Sequence, residues 1–326
     1  MKQYHWAVLG CGAIGNEMAQ AMGRLDRTLY SVGNRTYRTA VEFSEKYGIG
    51  KVYDNPEEMF ADDNVDIVYV ATPHNLHIQS ILKALNSGKH VLCEKSITLN
   101  TSELNQAIEA AEKNQVVLAE AMTIYHMPLY KRLKKIIESG ALGAMHLAQM
   151  SFGSLKPYDM DNRFFNPQLA GGALLDIGVY ALSFVRWFMS SCPDQIQSQV
   201  QFAPSGVDEQ AGILLKNKES EMASVLLSLC TKQPKRGVIS FEKGYIEIME
   251  YPRGERAEIV YTEDQRRESI CAGSAADALI YEILDMEAAV SGEENRMCLE
   301  YTKDVMGLMT ELRREWGLIY PGEREL

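Results

Sequence analysis

The sequence predicts an α/β fold in which a doubly wound parallel sheet precedes an α+β domain with a large open, mostly antiparallel sheet. Over the first ~120 residues, short apolar runs alternate with helical patterns, which is typical of a parallel sheet with helices on both faces. A glycine-rich loop follows the first apolar run. From residue 195 to residue 262, strand-like runs follow one another without helices, which indicates an antiparallel sheet.

The first predicted domain spans residues 1–121. Its predicted strands are 4–9, 28–33, 51–53, 66–71, 90–93 and 116–119. The run that starts Asn55-Pro56 predicts a helix with an Asn cap, a first-turn proline and an acidic first turn. A helix near 75–87 is expected to end at Gly88, and Thr101 is expected to cap the helix that follows.

The second predicted domain spans residues 122–326. It begins with a helix at 127–139 that ends at Gly140, a strand at 144–153, a polar loop to Ala170 and a helix at 172–189. The predicted strands of the sheet are 195–202, 210–216, 221–229, 237–241, 245–250 and 257–261, and two helices follow at 275–291 and 299–316. One face of so large a sheet must meet solvent or another subunit, so we expect a homodimer or homotetramer.

Composition excludes several classes of protein. The 326 residues are 46% hydrophobic and carry a net charge of −11, and an acidic chain repels a phosphate backbone. No run approaches the ~18 consecutive apolar residues of a membrane span, and the amino terminus shows no signal-peptide pattern. The six cysteines form no metal-binding spacing. We therefore expect a cytoplasmic protein with reduced thiols, no metal, and no nucleic-acid or membrane partner.

The glycine loop is the clearest binding motif. It reads Gly10-Cys11-Gly12-Ala13-Ile14-Gly15, after a predicted strand and at the start of a helix, which is the context that a dinucleotide site requires. Gly10 allows the tight turn, Gly12 lets a pyrophosphate approach the backbone, and Gly15 lets helix and strand pack closely. The first domain is therefore predicted to be a Rossmann domain, with phosphates at the helix amino terminus.

The residues at the end of the second strand indicate which cofactor, NAD or NADP, is preferred. An NAD site usually has Asp or Glu there for the ribose 2′-hydroxyl, and this sequence has none. Arg35 and Arg38 lie close together beside Asn34, which favours NADP over NAD. The alternatives are that Arg35 stacks on the adenine and that Arg38 is a solvated helix residue.

Two more strand ends should line the ligand crevice of the parallel sheet. After the fourth strand, the residues expected near the cofactor are Ala71, Thr72, Pro73, His74, Asn75 and His77. For each histidine, capping or packing is an equal alternative. After the fifth strand come Glu94 and Lys95, and a lysine there can donate to a substrate hydroxyl or carbonyl.

A second group of candidates follows Arg163. The run from Arg163 to Tyr180 contains Gly171-Gly172, which lets a helix begin close to another backbone or a ligand. Asp176 and Tyr180 are four apart and share a helix face. A free tyrosine has a pKa of ~10, and a nearby ammonium such as Lys95 would bring it toward neutrality. The alternative is that Tyr180 is a packed aromatic residue.

At these residues the chain resembles the Gfo/Idh/MocA oxidoreductases over essentially its full length. The matching runs are GCGAIG, ATPHNLH, VLCEKS and GGALLDIGVY. The run RFFNPQLAGGALLDIGVY is most like the branch of dimeric dihydrodiol dehydrogenase, xylose dehydrogenase and glucose–fructose oxidoreductase. The resemblance implies NAD(P)-linked hydride transfer at a carbinol or carbonyl carbon of a sugar, polyol or diol. The alternative is a non-catalytic nucleotide- or sugar-sensing regulator on the same scaffold.

The resemblance also implies residue roles. Lys95 would be the catalytic lysine, Tyr180 the acid/base and Asp176 the group that orients them, and hydride would pass to or from the nicotinamide. The other residues expected near the substrate are Tyr125, Tyr158 and Arg163, with Phe164 or Phe165 nearby. The sequence departs from the family at Ser96, where proline is usual, so the Lys95–Ser96 peptide is either cis or part of a relaxed turn. Thr123-Ile124-Tyr125 replaces Trp-Thr-Arg, which argues against an aromatic diol, and Gly33-Asn34 replaces the small residues usual before Arg35.

Overall fold

The computed structural model describes residues 3–323, and these fall into two compact units. The first comprises the described residues up to Ala121 together with Leu279–Leu299, and the second comprises Met122–Ala278 with the described residues from Glu300 onward. The sequence had assigned 279–299 to the second domain. This segment belongs with the first unit because Glu287 accepts a hydrogen bond from Trp6 Nε1 (3.0 Å) and forms an ion pair with Arg27 (2.6 Å).

The first unit contains a six-stranded parallel sheet, which confirms the predicted doubly wound fold. Its strands are β1 (Trp6–Leu9), β2 (Ser31–Gly33), β3 (Lys51–Tyr53), β4 (Ile67–Val70), β5 (His90–Glu94) and β6 (Leu118–Ala121), in the order β3-β2-β1-β4-β5-β6. Its helices are α1 (Ala13–Arg24), α2 (Tyr37–Tyr47), α3 (Pro56–Ala61), α4 (His77–Asn86), α5 (Thr101–Asn114) and α9 (Ala278–Val290), the last from Leu279 onward. The strand order reverses between β1 and β4, and ligands bind at such a switch point.

Local signals explain where two of these helices begin. Asn55 caps α3 by accepting a hydrogen bond from Glu57 N (3.0 Å), as the sequence predicts. Helix α5 is capped by Asn100 and not by Thr101. The Asn100 side chain accepts from Glu103 N (2.9 Å) while the Glu103 carboxylate accepts from Leu99 N (2.9 Å), which satisfies two otherwise unpaired N–H groups together.

The second unit contains an eight-stranded sheet in the order β14-β13-β12-β11-β7-β10-β9-β8. Its strands are β7 (Met145–Gly153), β8 (Gln195–Phe202), β9 (Asp208–Lys216), β10 (Met222–Ser228), β11 (Gln233–Phe241), β12 (Gly244–Met249), β13 (Arg256–Tyr261) and β14 (Arg267–Cys271). Its helices are α6 (Thr123–His126), α7 (Pro128–Glu138), α8 (Val179–Phe188) and α10 (Leu299–Trp316), which lies here from Glu300 onward. All neighbouring strands pair antiparallel except β7 and β10, so the mostly antiparallel sheet is confirmed.

Two features of this unit differ from the sequence expectation. Strand β14 was not predicted, because this edge strand is largely polar and only Ile270 in it is buried. The helix expected at 172–189 is not regular, because Leu174–Gly178 forms a π-helical turn before α8. The segment Pro167–Phe188 is long and apolar enough to span a membrane by composition, with a mean hydropathy of 1.4 over an 18-residue window. However, 83% of that window is buried, as expected of a core helix.

The large sheet has two unlike faces. The inner face is buried and includes Ile213, Ala223 and Val225, and helix α8 packs on strands β7 and β10. The opposite face carries apolar side chains that are 44–53% exposed, namely Leu147, Leu214, Met222 and Leu226. We call these four residues the outer patch. Pairing of Met222 with Leu147 and of Leu214 with Ser224 places them on adjacent strands.

Candidate active site

Two glycines of the loop after β1 are required by sterics. Gly10 has φ +112°, and a Cβ there would lie 2.4 Å from the carbonyl oxygen of Ala71 at the end of β4. A Cβ on Gly15 would lie 2.4 Å from the carbonyl oxygen of Gly10. Both distances are far below van der Waals contact, so only glycine lets the loop, the helix and the strand end approach in this way.

Gly12 is different, because a Cβ there would meet nothing within 4 Å. The protein itself therefore does not need a glycine at this position, and the open space lies at the start of α1. Gly12 provides no side-chain cap, and Ala13 and Ile14 open the helix. The first N–H groups of a helix have no intrahelical acceptor, so they are available to an anionic ligand. This cradle fits a dinucleotide pyrophosphate.

Asn16 stiffens the glycine loop, a role that the sequence did not reveal. Its Nδ2 donates to the carbonyl oxygens of Cys11 (3.2 Å) and Gly12 (2.9 Å). Its Oδ1 accepts from Lys46 Nζ and Tyr47 OH, both at 2.7 Å, on helix α2. The signal in the sequence that could have indicated this role is the asparagine one residue after the third glycine of the loop. Burial also raises the pKa of the Cys11 thiol to about 11, which disfavours the reactive thiolate.

The residues that follow β2, 34–38, are half-buried at Asn34 and exposed from Arg35 onward, and none of them is acidic. Asn34 donates from Nδ2 to the carbonyl oxygen of Thr36 (3.2 Å), and its Oδ1 lies 3.4 Å from Cys11 N. Arg35 is exposed. Arg38 is also exposed and pairs with Glu42 at 2.9 Å, one helical turn on. The two arginines therefore differ, because Arg38 already has an anionic neighbour.

The turn after β4 contains both histidines. His77 is fully buried, with Nε2 2.7 Å from the carbonyl oxygen of Thr72 and Nδ1 2.9 Å from that of Ser96. Burial lowers the pKa of His77, against the effect of these two carbonyls. His74 is half-buried, with Nε2 3.1 Å from the carbonyl oxygen of Lys95. Both rings thus join the loop after β4 to the loop after β5, which is the packing alternative for these residues.

The rest of this turn offers polar groups to a ligand. The hydroxyl of Thr72 is buried and has no hydrogen-bond partner within residues 3–323. Ala71 N donates to the Leu9 carbonyl oxygen (2.9 Å), which ties the turn to β1 beside the glycine loop. Pro73 is exposed, and Asn75 is half-buried. An unsatisfied hydroxyl at the switch point of the sheet fits a bound cofactor.

The chain after β5 presents Lys95. Glu94 ends the strand and accepts a hydrogen bond from the hydroxyl of Tyr69, a buried β4 residue that the sequence did not single out. Lys95 is half-buried and the Lys95–Ser96 peptide is cis, which is the first of the two predicted alternatives. Ile97 N donates to the buried carboxylate of Glu120 on β6 (3.1 Å). Contacts on both sides therefore fix the backbone that carries Lys95.

In the second unit, glycines bring the Arg163 loop to the start of the π turn. A Cβ on Gly171 would lie 2.7 Å from the carbonyl oxygen of Arg163, and Gly172 N donates to that of Phe164 (3.0 Å). The sequence predicts that Gly171-Gly172 lies close to another backbone or a ligand, and the close neighbour in the structure is backbone. Arg163 Nη1 lies 3.2 Å from Asp176 Oδ1, so the loop and the π turn share an ion pair.

Tyr180 is half-buried in the first turn of α8. Its ring lies 6.3 Å from that of Phe152, and the buried Tyr251 is a further neighbour, whose pKa is raised by burial and then by Tyr180. In the preceding loop, Tyr158 is 47% exposed and packs edge-on against the buried Phe165 at 5.1 Å. Among the predicted substrate neighbours of this unit, Arg163 and Tyr158 are therefore exposed and Tyr180 is half-buried.

Two other predicted neighbours of the substrate have packing roles. Tyr125 is 1% exposed, and its ring contacts Trp187 and Tyr301 at 5.8 and 5.7 Å. Phe164 lies under the guanidinium of Arg163 at 4.2 Å. A substrate contact of Tyr125 stays a prediction, and its buried ring is accounted for by these aromatic neighbours.

Two successive parts of the sequence match family models. Residues 4–122 match the oxidoreductase family with an NAD-binding Rossmann fold, and residues 130–247 match the GFO/IDH/MocA C-terminal domain. The chain is thus an oxidoreductase that uses NAD or NADP.

Individual proteins agree with this class. The chain is 31% identical to the scyllo-inositol 2-dehydrogenase (NADP(+)) IolU of Bacillus subtilis, over 98% of this chain and 99% of the relative. It is 30% identical to the trans-1,2-dihydrobenzene-1,2-diol dehydrogenase of Xenopus laevis, over 74% of each. A levoglucosan dehydrogenase solved with NADH has the same fold, with a TM-score of 0.86, 18% identity, and 94% of this chain and 95% of that chain covered. The chain belongs to the GFO/IDH/MocA family, as the sequence resemblance predicts.

Proposed function

We propose that this protein is an NADP-preferring dehydrogenase that oxidises a ring carbinol of a cyclic polyol or sugar, or reduces the matching ketone. The observation that carries the proposal is the pair of strand-end loops in the first unit, one an open glycine cradle and the other a lysine on a fixed turn. A cofactor cradle alone would suit a sensor, but Lys95 supplies a charge for chemistry. The full-length similarity to a scyllo-inositol dehydrogenase supports the substrate class.

The proposed roles divide between the two units. The nicotinamide, when bound, carries the hydride. Tyr180 would take the hydroxyl proton during oxidation and return it during reduction, and Lys95 would favour the tyrosinate by its charge. Asp176 would orient the two groups, and its ion pair with Arg163 supports this by fixing the carboxylate in the π turn. The ring of Tyr125 is packed among aromatic residues of the protein and so does not offer a wall for an aromatic substrate. For this reason a polyol is favoured over an aromatic diol.

The NADP preference rests on charge. The residues after β2 include no carboxylate to bind a ribose 2′-hydroxyl and to repel a 2′-phosphate. Arg35 is exposed, and it is the arginine proposed to bind the phosphate, because Arg38 already pairs with Glu42. The NADP-dependent relative supports this choice.

We also propose that the protein acts in the cytoplasm as a homodimer or homotetramer, assembled through the outer patch. Four apolar side chains on adjacent strands, each 44–53% exposed, form a surface that a second copy of the chain would bury. Light scattering after size exclusion would test this. Leu226→Lys is expected to lower the mass of the assembly to half or less, and Leu284→Lys, at a leucine of α9 that is 40% exposed, is the matched control. A monomeric wild-type protein would overturn the assembly.

The activity is tested by following NADPH fluorescence while the protein is offered scyllo-inositol, other inositols and aldoses with NADP⁺ or NAD⁺. We expect turnover with a cyclic polyol or sugar and faster turnover with NADP⁺. Lys95→Ala should lower the turnover rate about 10³-fold while NADPH still binds, since positioned acid–base groups contribute ~10²–10⁴-fold to the rate. Lys83→Ala, which removes an exposed lysine paired with Glu57, is the control. Tight NADPH binding without turnover on any substrate would favour a sensor instead.

A further inference from the structure

A buried carboxylate lies under the turn at which the helix of Asp176 and Tyr180 begins. Gly172 has φ +123°, and a Cβ on it would lie 2.1 Å from Oδ1 of Asp208, the first residue of β9. The Asp208 side chain therefore occupies the space that any other residue at position 172 would need.

Asp208 is fully buried and only half satisfied. Its Oδ2 accepts a hydrogen bond from Leu174 N at 2.6 Å, which is one of the unpaired N–H groups at the helix start. Its Oδ1 is buried and has no hydrogen-bond partner within residues 3–323. A carboxylate in this position lacks the solvation that a charge requires, whereas a neutral carboxyl does not need it.

The groups facing Asp208 come from the π turn and from the carboxyl-terminal segment. Arg313 on α10 is the facing cation, but it is buried and shares its charge with Glu323. Tyr320 donates from its hydroxyl to the carbonyl oxygen of Gly171 at 2.6 Å, and burial raises its pKa. Burial raises the pKa of Asp208 to about 7, and that rise is opposed by the N–H groups of Leu174, of Asp208 itself and of Ala173 and by the Arg313 charge.

We propose that Asp208 is a positioning residue for the substrate side of the active site: it holds the turn at Gly171-Gly172 firmly when its carboxyl is neutral and loosely when it is ionised. The consequence for catalysis rests on the proposed function, since this turn leads into the helix of Asp176 and Tyr180. Opening the turn lets the carboxylate reach water, and closing it returns the charge to a buried space with one oxygen unpaired.

The sign of the pH dependence follows from linkage. The pKa of Asp208 is about 7 in the folded protein and 3.8 in its ordinary state, so the closed form binds the proton more tightly than an open form does. Opening is then favoured progressively as the pH rises from about 4 to about 7, and it levels off above that range. The neutral isostere Asp208→Asn should remove this dependence.

The test is hydrogen–deuterium exchange of peptides covering residues 171–180, at pH 5 and pH 8, after correction for the intrinsic exchange rate. In the wild-type protein we expect these peptides to open at least about tenfold more at pH 8 than at pH 5. In Asp208→Asn the corrected opening should be small and equal at both pH values. Glu221→Gln is the matched control, because Glu221 is a buried carboxylate that accepts from Ser190 N (2.8 Å), just after the other end of α8.

Equal opening at both pH values in the wild-type protein would overturn the proposal, and this arm does not depend on whether a variant folds. A wild-type pH dependence that persists in Asp208→Asn, or that Glu221→Gln also abolishes, would overturn it too. A second arm measures KM for scyllo-inositol with NADP⁺. The ratio of the wild-type KM to that of Asp208→Asn should rise severalfold between pH 5 and pH 8. Absence of turnover would count against the proposed function, while the exchange result would still decide the role of Asp208.

Discussion

The two units present their candidate groups on different kinds of structure. In the first unit the candidate cofactor cradle is backbone: a glycine loop, the N–H groups of α1, and loops after β4 and β5 held by histidine and carboxylate side chains, with Lys95 on the last of these loops. In the second unit the candidate groups are side chains, on an irregular backbone of a long loop and a π turn. A backbone site depends on the absence of side chains, and a side-chain site depends on particular groups, so the two should respond differently to substitution.

The largest expected effect is in the second unit. Tyr180→Phe keeps the ring beside Phe152 but removes the hydroxyl that would carry the proton. We expect kcat to fall by about 10²–10⁴-fold, the range of positioned acid–base groups, with NADPH binding unchanged. Steady-state kinetics and a fluorescence titration measure the two quantities. Tyr158→Phe is the control, and a Tyr180→Phe enzyme within twofold of wild type would exclude Tyr180 as the acid/base.

Two valine substitutions in the glycine loop should separate binding from folding. A Cβ at position 12 would meet no protein atom within 4 Å, so for Gly12→Val the midpoint of thermal unfolding should stay within about 2 °C while NADPH affinity falls by at least about tenfold. Gly15→Val places its Cβ against the carbonyl oxygen of Gly10, and this overpacking should cost about 1–3 kcal/mol of stability. Thermal unfolding and NADPH titration read both effects. Equal destabilisation by the two variants would contradict the open space assigned to Gly12.

His77 tests how the first unit holds its loops. His77→Leu removes a buried donor and leaves a carbonyl of Thr72 or Ser96 without its partner, so the free energy of unfolding should fall by about 2 kcal/mol. His74→Leu should cost less, because its ring is only half-buried. Urea unfolding compares the two. A larger loss of unfolding free energy for His74→Leu than for His77→Leu would contradict the stronger role assigned to His77.

The smallest expected effect concerns the choice of cofactor. Arg35→Ala should raise KM for NADPH about tenfold, equivalent to about 1.4 kcal/mol, and leave KM for NADH nearly unchanged, because only NADPH carries the 2′-phosphate. Arg38→Ala should have a smaller effect, since its guanidinium already pairs with Glu42. The ratio of the two KM values is the readout. Equal changes for NADPH and NADH would assign Arg35 to stacking on the adenine.

The sequence anticipated the first unit better than the second. The glycine loop, the positions of the strands along the chain and the cap at Asn55 follow from local rules, because turns and helix starts depend on residues close in the chain. The cap at Asn100 was missed because Thr101 beside it is an equally good capping residue type. Strand β14 was missed because a polar edge strand has no apolar periodicity.

In the second unit the important partners are far apart in sequence. Asp208 meets Leu174 across 34 residues, and Tyr320 meets Gly171 across 149. No spacing rule connects such positions. The assignment of residues 279–299 to the first unit has the same origin, because Glu287 pairs with Arg27 across 260 residues.

The sequence alone determined the class of fold, the dinucleotide loop and the family, because each depends on residue types at short and fixed spacings. Only the tertiary structure decided which of those residues have further duties. It placed the rings of His74 and His77 on backbone carbonyls, buried Tyr125 among aromatic rings, and set Asp208 beneath Gly172. The reason is physical: local geometry depends on neighbours in the chain, whereas burial and the pairing of polar groups depend on which distant segments the fold brings together.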